Sequence, residues 1–154
     1  MGKLKLDFIY DYDFFLLSIH STLEDYRLAI FLNSIFNIRL RKSEYSLNFK
    51  QKNGNFSIYD CNNEINFTFW SLISNKQVIE EKTAINSFSL FDTIYSTYVL
   101  MKEKKEVDYF LKIEGDLSGD EKQKIIKEIT NIKGVLACAE LDPKKLKTIN
   151  NLIY

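Results

Sequence analysis

The chain contains one histidine, His20, which directly precedes Ser21 and Thr22. Serine and cysteine nucleophiles usually need a histidine base that a third group orients. Because neighbours in sequence rarely form such a pair, we expect His20 to be a loop residue before a helix rather than a base. Cys61 and Cys138 lack a Cys-x-x-Cys spacing, so the sequence indicates neither a zinc site nor thiol redox chemistry. We therefore predict no catalytic residue, no metal and no cofactor.

Aspartates near the N-terminus offer a second kind of chemistry. Asp11 and Asp13 could hold a divalent cation, which prefers carboxylate oxygens. The aspartates alternate with aromatic residues, however, and a solvated strand face is the favoured interpretation. Asp13 could also pair with Asp108 for acid–base chemistry. In the antiparallel sheet predicted below, the two carboxyl groups lie at opposite ends of neighbouring strands, which argues against that pair.

Four residues are candidates for contacts with a ligand or at an interface: Arg27, Glu103, Asp108 and Tyr109. Arg27 is one of three arginines in a lysine-rich chain, and a guanidinium can bind a carboxylate or phosphate through two hydrogen bonds. Glu103, Asp108 and Tyr109 would form the centre of an enzyme site built from Asp, Glu, Tyr and Lys side chains. The sequence leaves that alternative open.

The aromatic residues Phe67, Phe69 and Trp70 could stack RNA bases, as in proteins that bind RNA on a sheet. Such proteins combine aromatic residues with a basic groove. Residues 41–100 carry equal numbers of basic and acidic side chains, so core or interface packing is the favoured interpretation.

Composition excludes several classes of protein. Lys+Arg and Asp+Glu both number 21, so the formal net charge is zero and we expect no nucleic-acid partner. The longest apolar runs have five residues, far short of the roughly 20 needed for a membrane span. The N-terminus lacks the apolar stretch of a secretion signal. We therefore expect a cytoplasmic protein without a membrane partner.

Two segments share a strand–helix–strand pattern. In the first, a strand with an alternating start at 7–14 and an apolar end at 14–19 leads to a Ser21-x-x-Glu24 capping box. The box predicts a helix over 22–36 that ends at Asn37 in a left-handed cap.

The second segment contains a strand from Asp108 and a Ser118-x-x-Glu121 box. Its helix is predicted to stop at Gly134, and a strand follows at 135–139. Ser21 to Asn37 and Ser118 to Gly134 both span 16 positions.

These patterns predict one α+β domain over 1–154. Its parts are a first βαβ-like unit (1–41), a β-meander (42–101), a second βαβ-like unit (102–141) and a docked tail (142–154). The helices are expected to pack on one face of a largely antiparallel sheet, in an extended ferredoxin-like or ACT-like arrangement.

Details of the meander and tail are also predicted. Turns are expected at Asn53-Gly54 and Asn62-Asn63, strands at 65–69 and 93–101, and a loop with a short helix at 75–93. Asp142 and Pro143 predict the start of a short helix in the tail.

The chain resembles the bacterial IPExxxVDY family at Glu103-Lys104-Lys105-Glu106-Val107-Asp108-Tyr109. Met101 and Lys102 stand where the family has Ile and Pro. Further resemblance lies at 23–28, 72–75, 88–91, 145–147 and 151–153, so the likeness covers nearly the whole chain. It implies a cytoplasmic protein of the Bacteroidetes type and implies nothing about chemistry.

The function predicted is a non-catalytic binding or regulatory module that self-associates as a homodimer. An ACT-like module would bind a small molecule at the dimer interface. The alternatives are the enzyme site around Glu103, Asp108 and Tyr109, and an adaptor for a protein partner, which would show as an exposed apolar patch.

Overall fold

The computed structural model describes residues 13–44, 47–49, 54–82 and 93–153. Within these ranges the chain forms ten strands, two α-helices and three short 3₁₀ helices. The strands are β1 (Phe14–Ser21), β2 (Arg41–Lys42), β3 (Leu47–Phe49), β4 (Gly54–Phe56), β5 (Ile58–Asn63), β6 (Thr68–Ser74), β7 (Lys76–Lys82), β8 (Thr93–Val99), β9 (Tyr109–Glu114) and β10 (Val135–Leu141). The α-helices are α1 (Asp25–Phe36) and α2 (Gly119–Thr130), and the 3₁₀ helices are Lys102–Lys104, Pro143–Lys145 and Ile149–Leu152.

Six strands form the main sheet in the order β10-β1-β9-β6-β5-β2, and all neighbours are antiparallel. It follows that β1 and β6 run parallel on either side of β9, and that β9 and β10 run parallel on either side of β1. The α+β class, with two helices and an antiparallel sheet, is confirmed. The pairs β3–β4 and β7–β8 form separate two-stranded sheets, so only part of the predicted meander extends the main sheet.

The two faces of the sheet carry separate hydrophobic clusters. Both helices contribute to the cluster on one face, with Leu28, Ala29 and Leu32 from α1 and Ile125 and Ile129 from α2. The other face is covered by the segment after β8 and by the C-terminal tail. Alternate residues of β1 enter the two clusters, and Phe15 to Ile19 are all buried, as predicted for a central strand.

The start of α1 differs from the prediction. The helix begins at Asp25, and its N-cap residue Glu24 makes no side-chain capping bond. The Ser21 hydroxyl accepts a hydrogen bond from the Leu23 amide and donates one to the Gly134 carbonyl. The predicted capping box is therefore wrong here, because Ser21 is used to join α1 to the start of β10. The left-handed cap at Asn37 is confirmed (φ 51°).

For the second helix, the predicted capping box is confirmed and the predicted C-terminal end is wrong. Ser118 accepts from the Glu121 amide, and the Glu121 carboxylate accepts from the Ser118 amide. The helix stops at Thr130, four residues before Gly134. Gly134 has φ 103°, and a Cβ there would lie 2.7 Å from Leu23 Cγ. The shared 16-residue spacing of the two predicted helices is therefore not present in the structure.

Several predictions for the middle of the chain are wrong in detail. The loop predicted from residue 75 contains strand β7, which pairs with β8. Asn62 and Asn63 belong to β5, and the turn occupies residues 64–67. His20 lies in β1 rather than in a loop. The strand start at 7–12, the turn residue Asn53 and residues 83–92 lie outside the described residues.

The C-terminal tail docks on the sheet, as predicted. Asp142 accepts a hydrogen bond from the Lys144 amide at the start of the 3₁₀ helix that contains Pro143. Ile149 and Leu152 are buried in the cluster on the face away from the α-helices.

Candidate functional site

Asp108 lies where β9 begins and joins three elements. Its Oδ2 accepts from the Ser21 amide at 2.9 Å, and its Oδ1 accepts from Lys76 Nζ at 3.0 Å. Its backbone amide donates to the Ile19 carbonyl. The carboxylate thus holds the start of β7 against the end of β1. Asp13 precedes Phe14, which pairs with Glu114 at the far end of β9, so Asp13 and Asp108 lie at opposite ends as predicted.

Tyr109 is nearly buried, and its hydroxyl donates to the Leu23 carbonyl at 2.7 Å. Burial raises the pKa of the phenol well above its ordinary value, and the negative charges of Asp25 and Asp108 raise it further. The hydroxyl therefore keeps its proton and serves as a donor that fixes the segment before α1.

Glu103 is exposed and contacts the C-terminal tail. Its two carboxylate oxygens accept from the amide and the hydroxyl of Thr148, both at 2.8 Å. Partial burial raises its pKa, but the hydrogen bonds from Thr148 outweigh that effect, so the pKa lies below its ordinary value.

Asn75 was not singled out from the sequence, although it holds the segment 101–108 in place. It is fully buried, and its Nδ2 donates to the carbonyls of Lys104 and Val107, both at 2.8 Å. Its Oδ1 accepts from the Met101 amide at 2.9 Å. Asn75 directly follows Ser74, the last residue of β6, and lies in the stretch 72–75 that resembles the IPExxxVDY family, but no periodic pattern marks it.

The four candidate residues do not form one site. Asp108 and Tyr109 both contact the chain leading into α1, whereas Glu103 contacts the tail. Arg27 is exposed on α1. The hydrogen bonds of Glu103, Asp108 and Tyr109 each join one segment of the fold to another. An enzyme site at these three residues stays a prediction.

The structure brings together a different set of residues in a cleft on the helix face. The cleft has a volume of about 410 Å³ and lies between the end of α1, one side of α2 with the two residues Asp116 and Leu117 before it, and the β5–β6 turn. Its floor includes Trp70 and Phe36, whose ring centroids are 5.2 Å apart. Asp116, Glu121 and Glu128 contribute carboxylates to its walls. Sequence reasoning missed this cleft because its residues come from four separate elements.

The aromatic residues considered for RNA binding do not share a surface. Trp70 is buried in the helix-face cluster, as the core interpretation predicted. Phe69 precedes it on β6 and points to the opposite face, because side chains alternate along a strand. Phe67 is 88% exposed in the preceding turn, so core packing is wrong for this residue, and interface packing stays a prediction.

The two cysteines and Lys112 are buried or half-buried within the fold. Burial raises the pKa of the Cys138 thiol to about 12, so it stays protonated near neutral pH. Cys61 accepts a hydrogen bond from the Arg39 amide. Lys112 is buried and donates to the Leu152 carbonyl at 2.9 Å; burial lowers its pKa, against the raising effect of Glu114 and Asp60.

The described residues include no group of three His, Cys, Asp or Glu side chains that could hold a metal ion. No helix in the described ranges is long and apolar enough to cross a membrane.

Comparison with known proteins adds no further information. No protein-family model matches the chain, and no curated protein or solved structure is significantly similar to it. Its function must therefore be inferred from its own residues and geometry.

Proposed function

We propose that the chain is a non-catalytic binding module that self-associates through the outer face of α1. This face comprises Tyr26, Arg27, Ile30, Phe31, Ser34 and Ile35. The observation that carries the proposal is the exposure of its four large apolar side chains, which range from 39% for Ile35 to 63% for Ile30. A helix with apolar residues all round is normally buried.

The second helix provides an internal comparison. Helix α2 packs on the same sheet face, but its exposed residues are mostly charged or polar, including Glu121, Gln123, Lys124 and Lys127. Its sequence thus separates an apolar inner side from a solvated outer side, as expected for a surface helix. Helix α1 lacks that separation, which favours a partner surface over its outer face.

A second copy of the chain fits this face because the pattern of α1 is self-complementary. In an antiparallel pair with its two-fold axis between Ile30 and Phe31, Ile30 lies beside Ile30 of the partner subunit and Phe31 beside Phe31 of the partner subunit, because successive residues point 100° apart around a helix. Arg27 then lies opposite Ser34 of the partner subunit near the middle of the face, and Tyr26 and Ile35 lie on its two flanks. Ile30 and Phe31 thus gain apolar partners, and the two arginines stay apart.

The electrostatics also favour a symmetric pair. The chain has a formal net charge of zero, so two copies do not repel at long range. The antiparallel arrangement places the positive end of one helix dipole beside the negative end of the other.

Sedimentation velocity over a range of protein concentrations tests the proposal. We expect the natural chain to dimerise and the Ile30→Glu variant to remain monomeric. Burial of an Ile side chain contributes roughly 1.5–3 kcal/mol, and a two-fold interface contains it twice, so dimerisation should weaken by about a hundredfold or more. Gln123→Glu on the exposed side of α2 is the control and should dimerise normally.

The second candidate is an adaptor for a different protein, which the same apolar face would also suit. A natural chain that is monomeric at every concentration would contradict self-association and favour the adaptor. An Ile30→Glu variant that dimerises as well as the natural chain would show that α1 is not the interface.

For the topology we propose an extended ferredoxin-like or ACT-like arrangement. Its support is the order β10-β1-β9-β6, in which β1 and β9 are each followed by a helix on the same face. In this proposal the segments from β2 to β5 are inserted between α1 and β6. An ACT-like module would bind a small ligand at its dimer interface, and a thermal-shift screen in which no amino acid or nucleotide stabilises the protein would count against it.

Membership of the IPExxxVDY family, with a cytoplasmic location in a bacterium, is likewise our proposal. Its support is the set of matching residues Glu103, Val107, Asp108 and Tyr109. Localisation of the tagged chain in fractionated cells tests the location, and recovery with the membrane fraction would contradict it.

A further inference from the structure

We propose that the cleft between α1 and α2 binds a small organic cation, specifically an ammonium group attached to a compact apolar body. The cleft volume of about 410 Å³ lies within the range of small-molecule sites, roughly 300–1,000 Å³. It is formed within one copy of the chain, and of its lining residues only Ile35 also belongs to the outer face of α1.

The floor of the cleft is a fixed aromatic surface. Trp70 is 5% exposed, and its ring is tilted by 39° from that of Phe36 at a centroid distance of 5.2 Å. The indole N–H donates to Thr68 Oγ1 at 3.1 Å. With this donor satisfied, the small part of the indole that borders the cleft presents apolar surface to a ligand, and the carboxylates of the walls supply the attraction for a cation.

The walls of the cleft carry an excess of negative charge. Asp116, Glu121 and Glu128 oppose a single cation, Lys124. Among the described residues, neither Asp116 nor Glu128 forms an ion pair. Glu121 already accepts the Ser118 amide as part of the capping box, which leaves Asp116 and Glu128 as the principal charges for a ligand.

The apolar floor and the acidic walls together favour one chemical class of ligand. Apolar residues of the floor, including Leu117 and Ile125, favour a hydrophobic body, while the carboxylates favour a positive charge at the same ligand. Nucleotides, phosphates and other anions would meet repulsion from the walls. The amide side chains of Asn63 and Asn66 at the rim offer donors and acceptors that can orient a bound amine.

Trp70 is the only tryptophan in the chain, so its fluorescence reports directly on the cleft. The probes are three molecules with the same phenyl group and different charge: phenethylamine, phenethyl alcohol and phenylpropanoate. We expect phenethylamine to change Trp70 emission saturably, the alcohol to bind more weakly and the anion not to bind. Affinity for the amine should fall as salt is added.

Two isosteric variants test the charges. Asp116→Asn and Glu128→Gln should each weaken phenethylamine binding by about three- to fivefold and leave the alcohol unaffected. Glu140→Gln on β10, which does not line the cleft, is the matched control and should bind normally. Saturation-transfer NMR on the same samples detects binding that does not alter fluorescence.

Three results would overturn the proposal. They are equal affinity for the amine and the alcohol, unchanged affinity in both carboxylate variants, and no binding of the amine by either method. The titration is repeated with the monomeric Ile30→Glu variant, whose substituted residue does not line the cleft, and we expect binding of the amine to be retained. Loss of self-association and loss of ligand binding are therefore distinguished.

Discussion

Glu103 and Thr148, which lie 45 residues apart in sequence, are joined by two hydrogen bonds of 2.8 Å. One carboxylate oxygen accepts from the Thr148 amide and the other from its hydroxyl. Thr148 directly precedes the 3₁₀ helix Ile149–Leu152, whose apolar residues are buried against the sheet. This exposed carboxylate thus helps to anchor the tail that covers one face of the fold, together with Lys112, which donates to the Leu152 carbonyl.

The Glu103→Gln variant should loosen this tail. An amide side chain keeps one acceptor oxygen and loses the charge that strengthens both hydrogen bonds. We expect hydrogen exchange at residues 149–152 to become at least about fivefold faster, while α2 exchanges as before. Glu106→Gln, also exposed in the same segment, is the control. Unchanged exchange at residues 149–152 would contradict the anchoring role.

The pH dependence of the tail follows from the same contact. The pKa of Glu103 is lower in the folded chain than its ordinary value of 4.5. The ionised form therefore stabilises docking above that value, and this stabilisation is lost as the pH falls through the lower, folded-state pKa. Exchange at residues 149–152 should accelerate in acid for the natural chain more than for Glu103→Gln.

Replacement of Asn75 by Ala should strongly destabilise the fold. The change removes the side chain that hydrogen-bonds to the Met101 amide and to the carbonyls of Lys104 and Val107. Unpaired buried polar groups cost about 1–3 kcal/mol each, so urea unfolding should show a loss of roughly 3–5 kcal/mol. Asn62→Ala, at an exposed position on β5, should cost less than about 1 kcal/mol. Equal effects of the two variants would contradict the role assigned to Asn75.

Tyr109 should make unfolding depend on pH in the alkaline range. Its pKa is raised in the folded state, so above the ordinary value of 10.0 the unfolded chain loses a proton that the folded chain retains. Its stabilising contribution is complete below pH 10 and declines as the pH rises above it. Tyr109→Phe should cost about 1 kcal/mol at neutral pH and reduce this decline. Tyr95→Phe, an exposed control on β8, should change neither the stability at neutral pH nor its decline in alkali.

The two Ser-x-x-Glu patterns show what sequence can and cannot predict. At Ser118 the partners are three residues away, so local chemistry determines the outcome and the capping box forms. At Ser21 the hydroxyl instead donates to the Gly134 carbonyl, 113 residues along the chain. Strand β7 was missed because residue type does not follow its two faces: Val78 is 62% exposed, whereas the polar Gln77 is half-buried on the same face as Ile79, so the sequence shows no clear period of two.

The candidate site was less predictable than the fold. Residues with recognisable chemistry, such as Glu103 and Asp108, proved to join segments of the chain. The cleft depends on Trp70, Asp116 and Glu128, which are distant in sequence and share no motif. Likewise, the apolar residues of α1 could be assigned to the core from sequence, and only the position of the helix on the sheet reveals which are exposed.

Cysteine cross-linking tests the proposed α1 interface most directly. Arg27→Cys and Ser34→Cys chains are mixed and gently oxidised, with the natural chain as the control for Cys61 and Cys138. The proposed two-fold axis places position 27 opposite position 34 of the partner subunit near the middle of the face, so mixed disulfide-linked dimers should form in excess of like-with-like dimers. Cross-linking no greater than in the natural chain, or without preference for the mixed pair, would contradict self-association through the outer face of α1.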